Sequence, residues 1–125
     1  MIVHNPDNDK LMLDLINKVR AQHGKGPVQI TDPLNKAALA QAQYQFEIKE
    51  MTHSSKFSKL SERFAASGAT CNACAENVAM GQTSIDEVMR DWENSPGHLA
   101  NLVGGYDNVG WAKVDKYWAQ TFNKS

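Results

Sequence analysis

The sequence has no excess of either charge, no long apolar run and almost no cysteine, and each absence removes a class of function. Thirteen Lys and Arg against fourteen Asp and Glu leave a formal net charge of −1 over 125 residues. That balance gives no electrostatic reason for nucleic acid or an anionic membrane as partner. No apolar run approaches the ~18 residues that a membrane-spanning helix needs. The opening Met-Ile-Val-His-Asn-Pro lacks the basic, apolar and small-residue zones of a signal peptide. Either the chain is cytosolic or a signal has been removed. Internal repeats, low-complexity tracts and linkers are missing. So are a His-Glu-x-x-His helix and a serine or cysteine nucleophile paired with a base and an orienting group. What remains is one domain over residues 1–125, with 42% hydrophobic and 22% charged residues, long enough for a single core.

The two cysteines, Cys71 and Cys74, stand in a Cys-Asn-Ala-Cys run. Three readings compete: a local disulfide in a secreted protein, free thiols in a reducing compartment, and a redox or metal-ligand pair. A bridge over so short a loop would add little through chain entropy. It would mainly fix the approach to Glu76.

The hydrophobic pattern predicts a helix over about 9–22, with Leu11, Leu15 and Val19 at helical spacing and Met12 and Ile16 widening the stripe. Asp7 or Asn8 can cap it and Gly24 can end it. Thr31-Asp32-Pro33 opens a second helix whose core face takes in Leu34, Ala37, Ala38, Ala42, Phe46 and Ile48. Its small alanines imply close packing. A shorter helix over 59–66 presents Leu60 and Phe64, with Gly68 as a stop. Residues 76–80 read as a strand. Ser84-Ile85-Asp86-Glu87 has the form of a capping box, opening a helix with Ile85, Val88, Met89 and Trp92 on one stripe. Ser95-Pro96 restarts the chain with its own cap. Residues 109–114 and 117–122 form two strands joined by a tight Asp115-Lys116 turn. An antiparallel sheet with helices on both faces follows, an α+β fold.

Four segments carry the chemistry. They are Met51-Thr52-His53-Ser54, Ala75-Glu76-Asn77-Val78-Ala79, Trp92-Glu93-Asn94-Ser95-Pro96-Gly97-His98-Leu99-Ala100-Asn101-Leu102, and Tyr117-Trp118-Ala119-Gln120-Thr121-Phe122. Two imidazoles and a carboxylate are the minimum for a divalent-ion site or for acid–base chemistry. Glu76 lies among small and apolar residues and needs a partner, because an isolated buried charge is expensive. Gln120 shares its strand face with Trp118 and Phe122, so its amide also needs a partner.

In this order and at these separations, the segments resemble the CAP or SCP-like family of cysteine-rich secretory, antigen 5 and pathogenesis-related proteins. The resemblance spans about 8–122. The Trp-x-x-Ser-Pro-Gly-His-x-x-Asn-Leu run is similar to the compact, bacterial-like version. It implies a three-layer α-β-α sandwich around a central antiparallel sheet, and a cleft into which His53, Glu76 and His98 point, with Gln120 beside it. The family's larger members add a glutamate three residues after the helix tryptophan. Here that position is Ser95, and Glu93, two positions earlier, is rotated from it by roughly 200° on a helix. The resemblance therefore implies a secreted, non-enzymatic domain. His53 and His98 would take Zn²⁺ or another divalent cation, and the partner would be a small molecule, a lipid or a receptor. Residues 68–74 contain no aromatic side chain, which argues against the family's sterol-binding mode. The alternative is a metal-dependent hydrolase or protease using His53, Glu76 and His98. A structural zinc on Cys71, Cys74, His53 and His98 is a third reading.

Overall fold

The structure, a computed structural model, describes residues 5–125. Helix α1 (Pro6–Gln22) begins before its apolar stripe. Pro6 takes its first turn and Asn5, not Asp7 or Asn8, caps it by accepting from the Asn8 backbone N–H at 2.8 Å. Its buried line is Met12, Ile16, Val19 and Arg20, while Leu11 stays 37% exposed. The real stripe is thus turned by one residue from the expected one. Gly24 follows the helix at φ +72, in the left-handed region that glycine enters without steric cost.

Strand β1 (Gln29–Ile30) leads into helix α2 (Asp32–Ile48), with Pro33 in its first turn. Then come α3 (Leu60–Ala66), β2 (Cys74–Met80), α4 (Ile85–Glu93), α5 (Pro96–Leu102), β3 (Asn108–Val114) and β4 (Tyr117–Asn123). The sheet order is β1-β3-β4-β2. The three long strands are antiparallel, and β1 joins β3 in parallel at one edge. Asp115 adopts φ +55 to close the β3–β4 turn without glycine. Helix α2 covers one face of the sheet with α3 beside it, and α1, α4 and α5 cover the other. This is the expected α-β-α sandwich.

The two interfaces differ in side-chain size. On the α1/α4/α5 side, Trp92, Trp111, Trp118 and Phe122 join Met12 and Ile16 in the large core. The Trp111 and Trp118 rings stack at 6.2 Å between centroids, and the Trp92 indole N–H donates to the Val78 carbonyl at 3.1 Å. On the α2 side the contact is made by Ala38, Ala42, Ala112 and Ala119 with Val78 and Val114. Gly110 marks the closest approach: a Cβ there would lie 2.1 Å from the Leu34 carbonyl carbon. The α2 backbone therefore rests almost on the sheet. Ile48, 40% exposed, lies outside this contact and is not core.

Candidate functional site

Glu76 sits in the middle of β2 with its side chain 2% exposed. Its two carboxylate oxygens meet two different cationic groups. Arg63 of α3 brings Nη1 to 2.6 Å from Oε1, with the arginine side chain itself only 3% exposed. This is an ion pair whose angle lies outside hydrogen-bond geometry, and Arg63 Nε has no hydrogen-bond partner among the described residues. His53 Nδ1 lies 2.9 Å from Oε2, on a ring that is 61% exposed. The strand's need for a counter-charge is thus met chiefly by Arg63, which sequence reasoning missed. The signal was present: a basic residue next to Phe64, in a helix judged by its apolar face alone.

His53 is delivered by the segment after α2, and two buried glutamines of α2 hold that segment. Gln41 Nε2 donates to the carbonyls of Thr52 at 2.6 Å and Ser54 at 2.9 Å. One helical turn on, Gln45 accepts from the Thr52 N–H at 3.0 Å and donates to the Trp118 carbonyl at 3.2 Å. Both are fully buried within the alanine stripe. Polar side chains at i and i+4 inside an otherwise apolar face were the available clue.

His98 lies in the first turn of α5. Its Nδ1 is 2.9 Å from Ser95 Oγ. Ser95 was expected to cap this helix with its hydroxyl, and it does not: its side chain makes no cap bond and meets the imidazole instead. Behind His98 lies a set of amides. Asn77 Nδ2 donates to the His98 carbonyl at 3.3 Å and to Gln120 Oε1 at 3.1 Å. Asn101 Nδ2 donates to Asn77 Oδ1 at 2.9 Å and to the Glu76 carbonyl at 3.2 Å. Gln120 is fully buried and reaches the sulfurs of Met12 and Met89, each at 3.5 Å. It braces the site from within and does not line an open cleft. Glu93 turns away to a groove between α1 and α4.

The two imidazoles are tuned in opposite directions. The hydrogen bond that its ring donates to Glu76 raises the pKa of His53, against the opposing effects of partial burial and Arg63. Burial lowers that of His98, and the charge of His53 lowers it further. Each ring has its Nδ1 engaged and its Nε2 without a hydrogen-bond partner among the described residues. Among those residues, no group of three or more His, Cys, Asp or Glu side chains is placed to hold one metal ion. Cys71 and Cys74 form a disulfide, packed beside Leu60 and Phe64. That consumes both thiolates and removes the structural zinc reading.

The model of the cysteine-rich secretory protein family, CAP, matches residues 13–122. The chain belongs to this family. An uncharacterized protein of Bacillus subtilis, YkwD, is 30% identical over 122 residues, which is 91% of this chain and 46% of that protein. Among solved structures, an extracellular SCP-domain protein from Bacillus anthracis has a TM-score of 0.88 at 21% identity, covering 100% of this chain and 45% of that one. An outer surface protein from Borrelia burgdorferi has a TM-score of 0.85 at 22% identity, covering 98% and 96%. The CAP chain spans less than half the length of the two Bacillus proteins. At these identities the structural likeness shows the shared sandwich. No helix among the described residues is long and apolar enough to cross a membrane.

Proposed function

We propose that this CAP domain works outside the cell as a non-catalytic binding module, with a divalent-cation position on His53 and His98 and a small-molecule site beside it. The observation that carries the metal part is the state of the two rings. In each, Nδ1 is engaged, by Glu76 for His53 and by Ser95 for His98. That leaves both Nε2 atoms for a ligand. A histidine that binds metal usually donates its other N–H to such a partner, which fixes its tautomer. Zn²⁺ suits a pair of neutral imidazoles, and when bound it would supply a Lewis-acidic centre. Glu76 is not offered as a ligand, since both its oxygens are taken. Two ligands imply weak to moderate affinity, lost as the rings protonate. The extracellular setting is supported by the family, by the disulfide, and by the likeness to an extracellular protein of Bacillus anthracis and an outer surface protein of Borrelia burgdorferi.

Calorimetric titration with Zn²⁺ tests this reading. Binding should weaken as pH falls through the histidine range and vanish in His53→Ala/His98→Ala. Undiminished binding in that variant would place the ion elsewhere. The hydrolase reading rests on the His53–Glu76 pair, which resembles a base held by a carboxylate. It predicts turnover on the order of 1 s⁻¹ or more on peptide or ester libraries with Zn²⁺, abolished in His53→Ala. Absence of such turnover rejects it.

A further inference from the structure

A cavity of about 410 Å³ opens beside His53, and none of its lining residues is acidic. Its walls include Ser54, Ser55, Phe57, Lys59, Leu60 and Arg63. The lining thus offers three kinds of donor: hydroxyl, the Lys59 ammonium and the Arg63 guanidinium. Arg63 is the telling member. Its side chain is 3% exposed, it shares its single counter-charge, Glu76, with His53, and its Nε donates to nothing among the described residues. A guanidinium that lines a cavity and shares its one carboxylate has charge left for an oxyanion, the group it binds best. A second cavity of about 240 Å³ shares Ser55, Phe57 and Arg63 with the first and adds Ala40, Tyr44 and Glu47 of α2, so the one carboxylate lies in the second cavity and the anion belongs in the first. Phe57 stands between the two, 43% exposed, an aromatic surface that the core does not use.

We propose that these joined cavities bind a phosphate monoester. The phosphate faces Arg63, Lys59 and Ser54, and the organic part lies across Phe57 toward Tyr44. Phosphate is preferred to carboxylate because the donors are three separate side chains: Lys59 precedes α3, Arg63 is one turn into it, and Ser54 lies in the segment that leads to both. A tetrahedral oxyanion can accept from all three, whereas a planar carboxylate satisfies one fork. The volume of the first cavity is within the ~300–1,000 Å³ usual for small-ligand sites. The proposal rests on the small-molecule part of the reading above and does not need the metal.

The test uses the whole chain in EDTA, so that a failed cation titration and a failed phosphate titration are separate results. Amide chemical shifts are followed with phenyl phosphate, inorganic phosphate and benzoate, and with phosphatidylcholine vesicles with and without phosphatidic acid. Phenyl phosphate should shift the amides of residues 54–60 saturably, at about 1 mM or below, and at least tenfold more tightly than benzoate. Lys59→Glu, at an exposed position, should weaken this tenfold or more, while Lys124→Glu should not change it. Response to phosphatidic acid vesicles but not to phenyl phosphate would assign the phosphate to a lipid headgroup. No saturable response to any phosphate probe would overturn the proposal. Equal binding of benzoate would overturn it too, as would indifference to Lys59→Glu.

Discussion

Glu76→Gln should be among the most damaging single substitutions available, although it alters neither size nor backbone. The reason is Arg63. With its side chain 3% exposed, against a carboxylate 2% exposed, the arginine would be left as a buried charge with no counter-charge. Breaking a buried pair from one side costs about 3–5 kcal/mol. The His53 contact adds little, because that ring is 61% exposed and an exposed ion pair contributes only about 0–1 kcal/mol. The sum is a large part of the ~5–15 kcal/mol that holds a domain folded. Urea unfolding reads it directly: at a slope of about 1.5 kcal/mol/M, the midpoint should fall by ~2–3 M with the slope unchanged. Arg63→Met/Glu76→Gln removes both charges and should recover most of the loss, to within about 2 kcal/mol of the parent chain. If Glu76→Gln alone costs less than about 1 kcal/mol, Arg63 is not held by this carboxylate. The electrostatic account of the site then fails with it.

Imidazole NMR titrations should place His53 above the free value of about 6.5 and His98 below it. The signs for stability follow: the His53 contribution is fully present below about 6.5 and lost as pH rises through its raised pKa. That of His98 is present above about 6.5 and lost as pH falls through its lowered pKa. Titration of the two rings in the reverse order would refute the assignment. Cys71→Ser/Cys74→Ser should cost only about 2 kcal/mol, since the bridge spans three positions, and intact mass without reductant should show no alkylation of the parent chain. Gly110→Ala should cost about 3 kcal/mol or more in urea, because the added methyl meets Leu34 backbone at 2.1 Å. A near-neutral result would mean that α2 can lift from the sheet.

Much of the fold was legible because its elements announce themselves locally. Ser84 caps α4 through the Glu87 N–H at 3.1 Å, as the motif predicts, while Glu87 reaches back one residue beyond the cap, to the Thr83 N–H at 2.7 Å. The Ile85, Val88, Met89, Trp92 stripe is buried as read. The alanines of α2 do mark close packing, and Gly110 across from Leu34 is the other half of that fit. What stayed hidden depends on contacts between distant residues. Strand β1 is two residues long and exists because β3 offers it an edge. Leu11 and Ile48 fit helical periodicity yet fall outside the packed faces, which only the neighbouring elements define. At the site, His53, Glu76 and His98 could be named from their motifs. Arg63, Gln41 and Gln45 could not, since each is polar within a stretch whose apolar neighbours dominate the pattern. Ser95 was assigned the commoner of two roles for a serine before a helix, and the imidazole three residues on claimed its hydroxyl.

The adjacency of Glu76 and Asn77 then acquires a structural reason. Strand β2 is the edge of the sheet opposite β1, and consecutive side chains on a strand point to opposite faces. Glu76 pairs in register with Thr121, whose hydroxyl donates to Leu34 of α2, so both lie on the α2/α3 face. Asn77 pairs with Gln120, which reaches Met12 and Met89, so both lie on the α1/α4/α5 face. His53 arrives from the first layer and is held by Glu76. His98 arrives from the second, and its carbonyl is held by Asn77. One dipeptide on an edge strand therefore anchors the two histidine-bearing segments from opposite sides of the sheet. A register shift of one residue would exchange the two faces, placing the carboxylate under α5 and the amide against Arg63. The order of the pair, and not its composition alone, is what ties histidine-bearing segments from different layers to one edge strand.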